Sequence, residues 1–139
     1  MSEEKEFVES ALEFDERLRT VARIDGHYDV QAYRFVFESL NHTIAKLSEP
    51  RHVTARELLD GIRELAKEKF GLLARTVFEN WGLSSTKDFG EIVFSLVSYG
   101  LMGKTDEDRL EDFDSVYDFK EGLDDEYLAE LPRQISLSS

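Results

Sequence analysis

A chain of 139 residues with 41% apolar content is long enough to bury a core, and its lack of cysteine excludes disulfides, thiolate metal sites, thiol nucleophiles and attached haem. It carries 17 Lys and Arg against 30 Asp and Glu, a formal charge of −13, so its field repels nucleic acid and anionic membrane and favours cationic partners. No apolar run approaches the roughly 20 residues of a bilayer-spanning helix, and the opening MSEEKEF has no apolar stretch, which predicts a cytoplasmic chain without a secretory signal.

Residues 4–24 place Phe7, Ala11, Phe14, Leu18 and Val21 at helical spacing, and Asp25 with Gly26 breaks the run. Asp29 stands where it can cap a second helix, whose stripe is Tyr33, Val36, Phe37, Leu40, Ile44 and Leu47. Ser48, Glu49 and Pro50 end it. Thr54 and Glu57 have the spacing of a capping box, opening a third helix that buries Leu58, Ile62, Leu65 and Phe70 and stops at Gly71. A short fourth helix carries Leu73, Val77, Phe78 and Trp81, with Gly82 as its stop. Ser85 and Asp88 open a fifth, with Phe89, Ile92, Val93, Leu96 and Val97 on one face and Gly100 at its end. Gly61 and Gly90 fall inside helices, where glycine costs about 1 kcal/mol relative to alanine. Close helix–helix approach is the expected reason for both. Trp81 is expected to be buried against the stripes of the third and fifth helices.

After the fifth helix, the string VSYGLMGKTDEDRLEDFDSVYDF has the layout of a wing. Residues 101–102 and 115–119 would pair as two short strands around an acidic loop, packing Leu101 and Val116 on the helices. The expected fold is therefore mainly α, with about five helices and a winged-helix-like C-terminal half ending in a small β-hairpin or ordered acidic loop. One helical domain spans 1–123, and 124–139 form a loosely held tail. There is no internal repeat.

Four strings, AYRFVFESLNHT, RHVTARELLDGIRELA, TKDFGEIVFSLVSYGL and EDFDSVYDF, together resemble a family of short, acidic, uncharacterised bacterial proteins with no assigned activity. The resemblance runs from about Phe14 to Phe119. It implies a single cytoplasmic bacterial domain and carries over no catalytic residue, cofactor or ligand.

Charge weighs against DNA. As a recognition helix, the fifth would face outward with Lys87, Asp88, Glu91, Ser95 and Ser98, and residues 105–126 hold 11 acids against 2 bases. Duplex binding rests on neutralising phosphates with Lys and Arg, so no duplex DNA partner is expected. Calcium fares no better. An EF-hand loop needs an oxygen ligand at its fifth position and glycine at its sixth; counting from Asp106 these are Leu110 and Glu111, and from Asp112 they are Val116 and Tyr117. His27, His42 and His52 lack metal-ligand spacing, and neither a nucleophile elbow nor a Gly-rich phosphate loop frames a reaction. No catalytic residue, metal or cofactor is assigned.

Two polar clusters remain. Arg51, His52, Thr54 and Arg56 gather at the start of the third helix, where free N–H groups and the helix dipole favour an anion. The plainer account has Thr54 capping and the arginines pairing with the chain's own acids, those of residues 106–114 among them. Asp106, Asp108, Asp112 and Asp114 form the acidic face of the expected wing. The leading expectation is a non-enzymatic interaction module that offers this face to a basic protein partner. The alternative is a small-anion or ligand-binding protein, or an enzyme, using the cluster at 51–56. A further alternative is a nucleic-acid binder on a helix-turn-helix scaffold. A pocket with convergent polar groups near His52 would favour the second reading; an acidic ridge with exposed apolar residues would favour the first.

Overall fold

The computed structural model describes residues 2–103 and 109–130. The chain forms five main helices: α1 (Ser2–Asp25), α2 (Val30–Ile44), α3 (Ala55–Phe70), α4 (Ala74–Asn80) and α5 (Thr86–Ser98). A 3₁₀ turn, Gly71–Leu73, joins α3 to α4. Local signals set most of the boundaries. Asp29 has extended backbone and accepts from Gln31 N at 2.8 Å, capping α2, while its own N–H donates to Trp81 O at 3.0 Å. Thr54 and Glu57 close the capping box of α3 with bonds of 3.1 and 3.0 Å. At the end of α5, Gly100 takes φ 76°, a region closed to most side chains. That turn lets Leu101 N reach Leu96 O at 2.8 Å and Gly100 N reach Val97 O at 3.0 Å, satisfying two end carbonyls in a Schellman motif.

The core is built around α2. Ala32, Tyr33, Phe35 and Val36 are buried on more than one of its faces, because α1, α3 and α5 all pack on it. Leu18, Val21 and Ala22 of α1, Leu59, Ile62 and Ala66 of α3, and Phe89, Ile92 and Leu96 of α5 supply the surrounding layers. At Gly61 α3 packs directly on α2: a Cβ there would lie 1.9 Å from Thr43 Oγ1. The expected close helix–helix approach holds at this position. Trp81 is only half-buried, and its ring meets Phe35, Phe70 and Phe78, with centroids 5.7 to 5.9 Å apart. Its aromatic neighbours thus lie on α2, α3 and α4, and none on α5. Leu73 and Ile44, expected on buried stripes, are exposed; the 3₁₀ turn carries Leu73 off the axis of α4.

The β-hairpin is not formed. Among the described residues there is no strand, and the expected wing is replaced by a 3₁₀ turn, Leu110–Phe113, and an irregular segment laid against α5. Two features prevent pairing. Ser115 has φ +47°, in the left-handed region, which breaks an extended run. The buried hydroxyl of Thr86 donates to Phe113 O at 2.6 Å and accepts from Val116 N at 3.1 Å, taking backbone groups that a ladder would need. Gly90 admits Phe113: a Cβ there would meet that ring at 2.7 Å, so the close approach is to an aromatic side chain and not to a helix.

The segment continues into the core. Phe119 and Leu123 are buried, and the Phe119 ring lies 5.5 Å from Phe78 and 6.1 Å from Phe89. Tyr117 donates its hydroxyl to Leu59 O at 2.8 Å, and the Arg63 guanidinium lies 5.1 Å over its ring. A π-helical turn, Lys120–Asp125, runs into a last helical turn, Glu126–Glu130. Arg75 to Asp124, Arg63 to Glu126 and Lys67 to Glu130 bridge it to α4 and α3 at 2.7 to 2.8 Å. Leu101 and Val116 do pack on the helical core, as expected. No helix among the described residues is long and apolar enough to cross a membrane.

Candidate functional site

The cluster at the start of α3 is held by the helix cap. Glu57 accepts both Nη atoms of Arg51, at 2.9 and 2.7 Å, in a fork-on-fork pair, while also accepting Thr54 N. The Arg51 guanidinium, helped by Thr54, draws the Glu57 carboxyl from its ordinary 4.5 down to about 2. In return, Glu57 raises the arginine's pKa. Arg56 Nε stands 3.5 Å from Asp60 Oδ2 on the next turn. Both arginines therefore meet carboxylates of α3 itself. His52 is exposed, and its ring has no hydrogen-bond partner among the described residues.

Beneath this cluster lies a pocket of about 160 Å³. Leu40, Leu58, Val93 and Phe113 form apolar wall, and Arg51, His52 and Thr54 supply polar lining. Its volume is close to the about 150 Å³ of an engineered apolar cavity that admits benzene. One ring or a short alkyl chain would fill it. The capping box that the sequence reveals thus forms one side of a pocket whose far side comes from α2, α5 and the 3₁₀ turn, elements distant in the chain.

The acidic face is only partly within view. Asp106 and Asp108 lie outside the described residues. Asp112 is exposed and accepts Arg109 N at 3.1 Å, starting the 3₁₀ turn, and Asp114 is exposed with no side-chain partner among the described residues. On α5, Asp88 and Glu91 both receive the Tyr28 hydroxyl, at 2.8 and 2.5 Å. Burial, reinforced by those two carboxylates, pushes the Tyr28 phenol far above its ordinary range. Asp88 further accepts Ser84 N at 2.7 Å and Ser85 N at 3.2 Å. These acids tie the α1–α2 loop to α5. Among the described residues, no group of three or more His, Asp or Glu is placed to hold a metal ion.

The first half of α1 carries the feature that sequence reasoning misjudged. The stripe expected in the core is covered at Phe14, Leu18 and Val21, but Phe7 is 75% exposed and Ala11 is exposed as well; on the flank beside them Leu12 is 65% exposed and Val8 53%. Glu6, Glu9, Glu13 and Glu16 run along the same helix at intervals of three, four and three, so they form one acidic stripe. Their carboxylates have no partner among the described residues. By contrast, Asp15 at the start of the covered half pairs with Arg19 at 2.7 Å and with Arg34. The spacing is legible in the sequence; that no other element among the described residues covers the first three turns is not.

No family model, curated protein or solved structure matches the chain.

Proposed function

We propose that this protein is a non-enzymatic interaction module that presents an acidic surface to a basic protein partner in a bacterial cytoplasm. The supporting observation is how charge is partitioned. Among the described residues most basic side chains are engaged by the chain's own acids: Arg19 and Arg34 by Asp15, Lys46 by Glu64, Arg51 by Glu57, Arg56 by Asp60, Arg63 by Asp60 and Glu126, Lys67 by Glu130, Lys69 by Glu38, Arg75 by Asp124 and Lys120 by Asp125. The unpaired surplus is acidic and outward, on the first half of α1 and at Glu111 and Asp114. Such a field steers a cationic partner and raises its rate of encounter. Asp106, Asp108, Asp112 and Asp114 belong to this surface in the proposal. The test replaces those four aspartates with asparagine and compares proteins captured from the native extract by each form. Wild type should retain a salt-eluted set rich in basic proteins, and the variant should retain less. A captured set that is unchanged by neutralisation and by salt would refute the role of this face.

A second reading rests on the pocket of about 160 Å³ beneath His52. There the occupant would be a small apolar molecule with a carboxylate directed at the imidazole, the polar group not engaged among the described residues. Benzoate and hexanoate are suitable probes. Saturable chemical-shift changes at Leu40, Val93 and Phe113 that are lost in His52→Ala would support this reading, and unshifted resonances at millimolar probe would end it.

A further inference from the structure

We infer that the first half of α1 is the docking element, and that its partner is an apolar groove edged with Lys or Arg. This rests on the acidic-surface reading and specifies the surface and the partner's chemistry. Continuity is the first support. Phe7 and Ala11 lie on the same face as Phe14, Leu18 and Val21, and that face is buried from Leu18 onward. The stripe thus runs past the end of the folded body, and Val8 and Leu12 widen it to the breadth a helix buries in a groove. An isolated helix of this length gains little from propensity alone, so an uncovered apolar face is a feature that burial against a partner would stabilise.

Charge decides what kind of partner. On a helix surface, residues three and four apart are neighbours. Phe7 therefore adjoins Glu3 and Glu4, Val8 adjoins Glu4 and Lys5, and Leu12 adjoins Glu9 and Glu16. None of these carboxylates is engaged among the described residues, and Lys5 is the one base before Arg17. A second copy of this helix would bring glutamates beside glutamates around Phe7 and Leu12, on top of a charge of −13 per chain. A groove edged with Lys or Arg pairs with those glutamates while its floor takes Phe7, Val8 and Leu12. Like-charge contact penalises the self-pair, and opposite charge rewards the basic groove.

The test uses the full-length protein and three labelled helical peptides: a leucine stripe flanked by lysine, the same stripe flanked by glutamate, and the lysine peptide with its leucines replaced by serine. Only the lysine-flanked leucine peptide should bind saturably in an anisotropy titration. Phe7→Ala with Leu12→Ala should weaken it by about tenfold or more, as loss of central apolar anchors does, while Glu49→Gln with Glu68→Gln, exposed acids outside the proposed surface, should leave it nearly unchanged. Since Phe7 and Leu12 are exposed, circular dichroism of the double-alanine variant should match wild type. Lysine-peptide binding that ignores the alanine changes, or that survives loss of the leucines, would overturn the α1 assignment and leave the broader acidic-surface reading standing. No binding by any peptide would overturn the inference, while the capture comparison decides the acidic-surface reading separately. A photo-crosslinker at position 12 identifies other occupants: crosslinks to residues 131–139 or to a second copy would overturn the inference.

Discussion

At Gly61 the distance of 1.9 Å from a built Cβ to Thr43 Oγ1 makes the hydrogen side chain a packing requirement. Gly61→Ala should destabilise by about 1–3 kcal/mol, the usual range for overpacking, although alanine is the better helix former. Thr43→Ala in the same chain should recover part of that loss in urea unfolding, because it removes the atom being struck; no recovery would locate the strain elsewhere. Glu57 gives a residue-scale pH prediction. Its carboxyl titrates near 2 when folded and near 4.5 ordinarily, so the unfolded chain binds its proton first as pH falls. The stabilisation is complete above about pH 4.5 and is lost as pH falls towards 2. Glu57→Gln should flatten the acid limb of the stability profile over that interval, as measured by thermal melts. An unaltered acid limb would mean that the Arg51 pair adds nothing beyond solvation.

At the scale of elements, the segment after α5 and the first half of α1 exchange the roles that their patterns imply. Residues 113–123 sit in acid-rich sequence, yet Phe113, Phe119 and Leu123 are buried. Phe119→Ala should therefore cost about 3–5 kcal/mol, the range for a fully packed phenylalanine. Thr86→Val should cost about 1–3 kcal/mol, because it keeps the volume and strands Val116 N and Phe113 O. In α1 the contrast lies within one helix. Leu18→Ala should lose about 2–5 kcal/mol, whereas Phe7→Ala should stay within about 0.5 kcal/mol, although both belong to one stripe in the sequence. Equal losses at the two positions would mean that the first turns of α1 are packed in solution.

For the whole molecule, the excess of negative charge acts on stability and on partner choice together. Self-repulsion at −13 is screened as the Debye length falls from about 10 Å at 0.1 M to about 3 Å at 1 M salt. Melting temperature should therefore rise with NaCl, and equally with calcium or magnesium at matched ionic strength. A rise specific to calcium would reveal a divalent site. The same field predicts no saturable binding of mixed-sequence duplex DNA at micromolar protein in low salt, where attraction to phosphate would be strongest. Saturable duplex binding would overturn that expectation.

The sequence by itself determined the five main helices and several of their ends, because these depend on interactions a few residues apart. The Asp29 cap, the Thr54–Glu57 box and the Gly100 stop need only local geometry, and apolar spacing of three and four identified the inner faces of α3 and α5. Charge is likewise a sum over residues. Tertiary structure alone decided which stripe is covered, and by what. Thr86 reads as an ordinary first-turn residue, and only the fold brings it to Phe113 and Val116 and turns an expected hairpin into a strap across α5. Phe119 is an aromatic among acids until Phe78 and Phe89 surround it. Phe7 and Leu18 share a face by periodicity, and they differ because α2 and α5 pack against one half of α1 and leave the other uncovered. Burial is a property of what lies across from a residue, and the chain fixes that only when it folds.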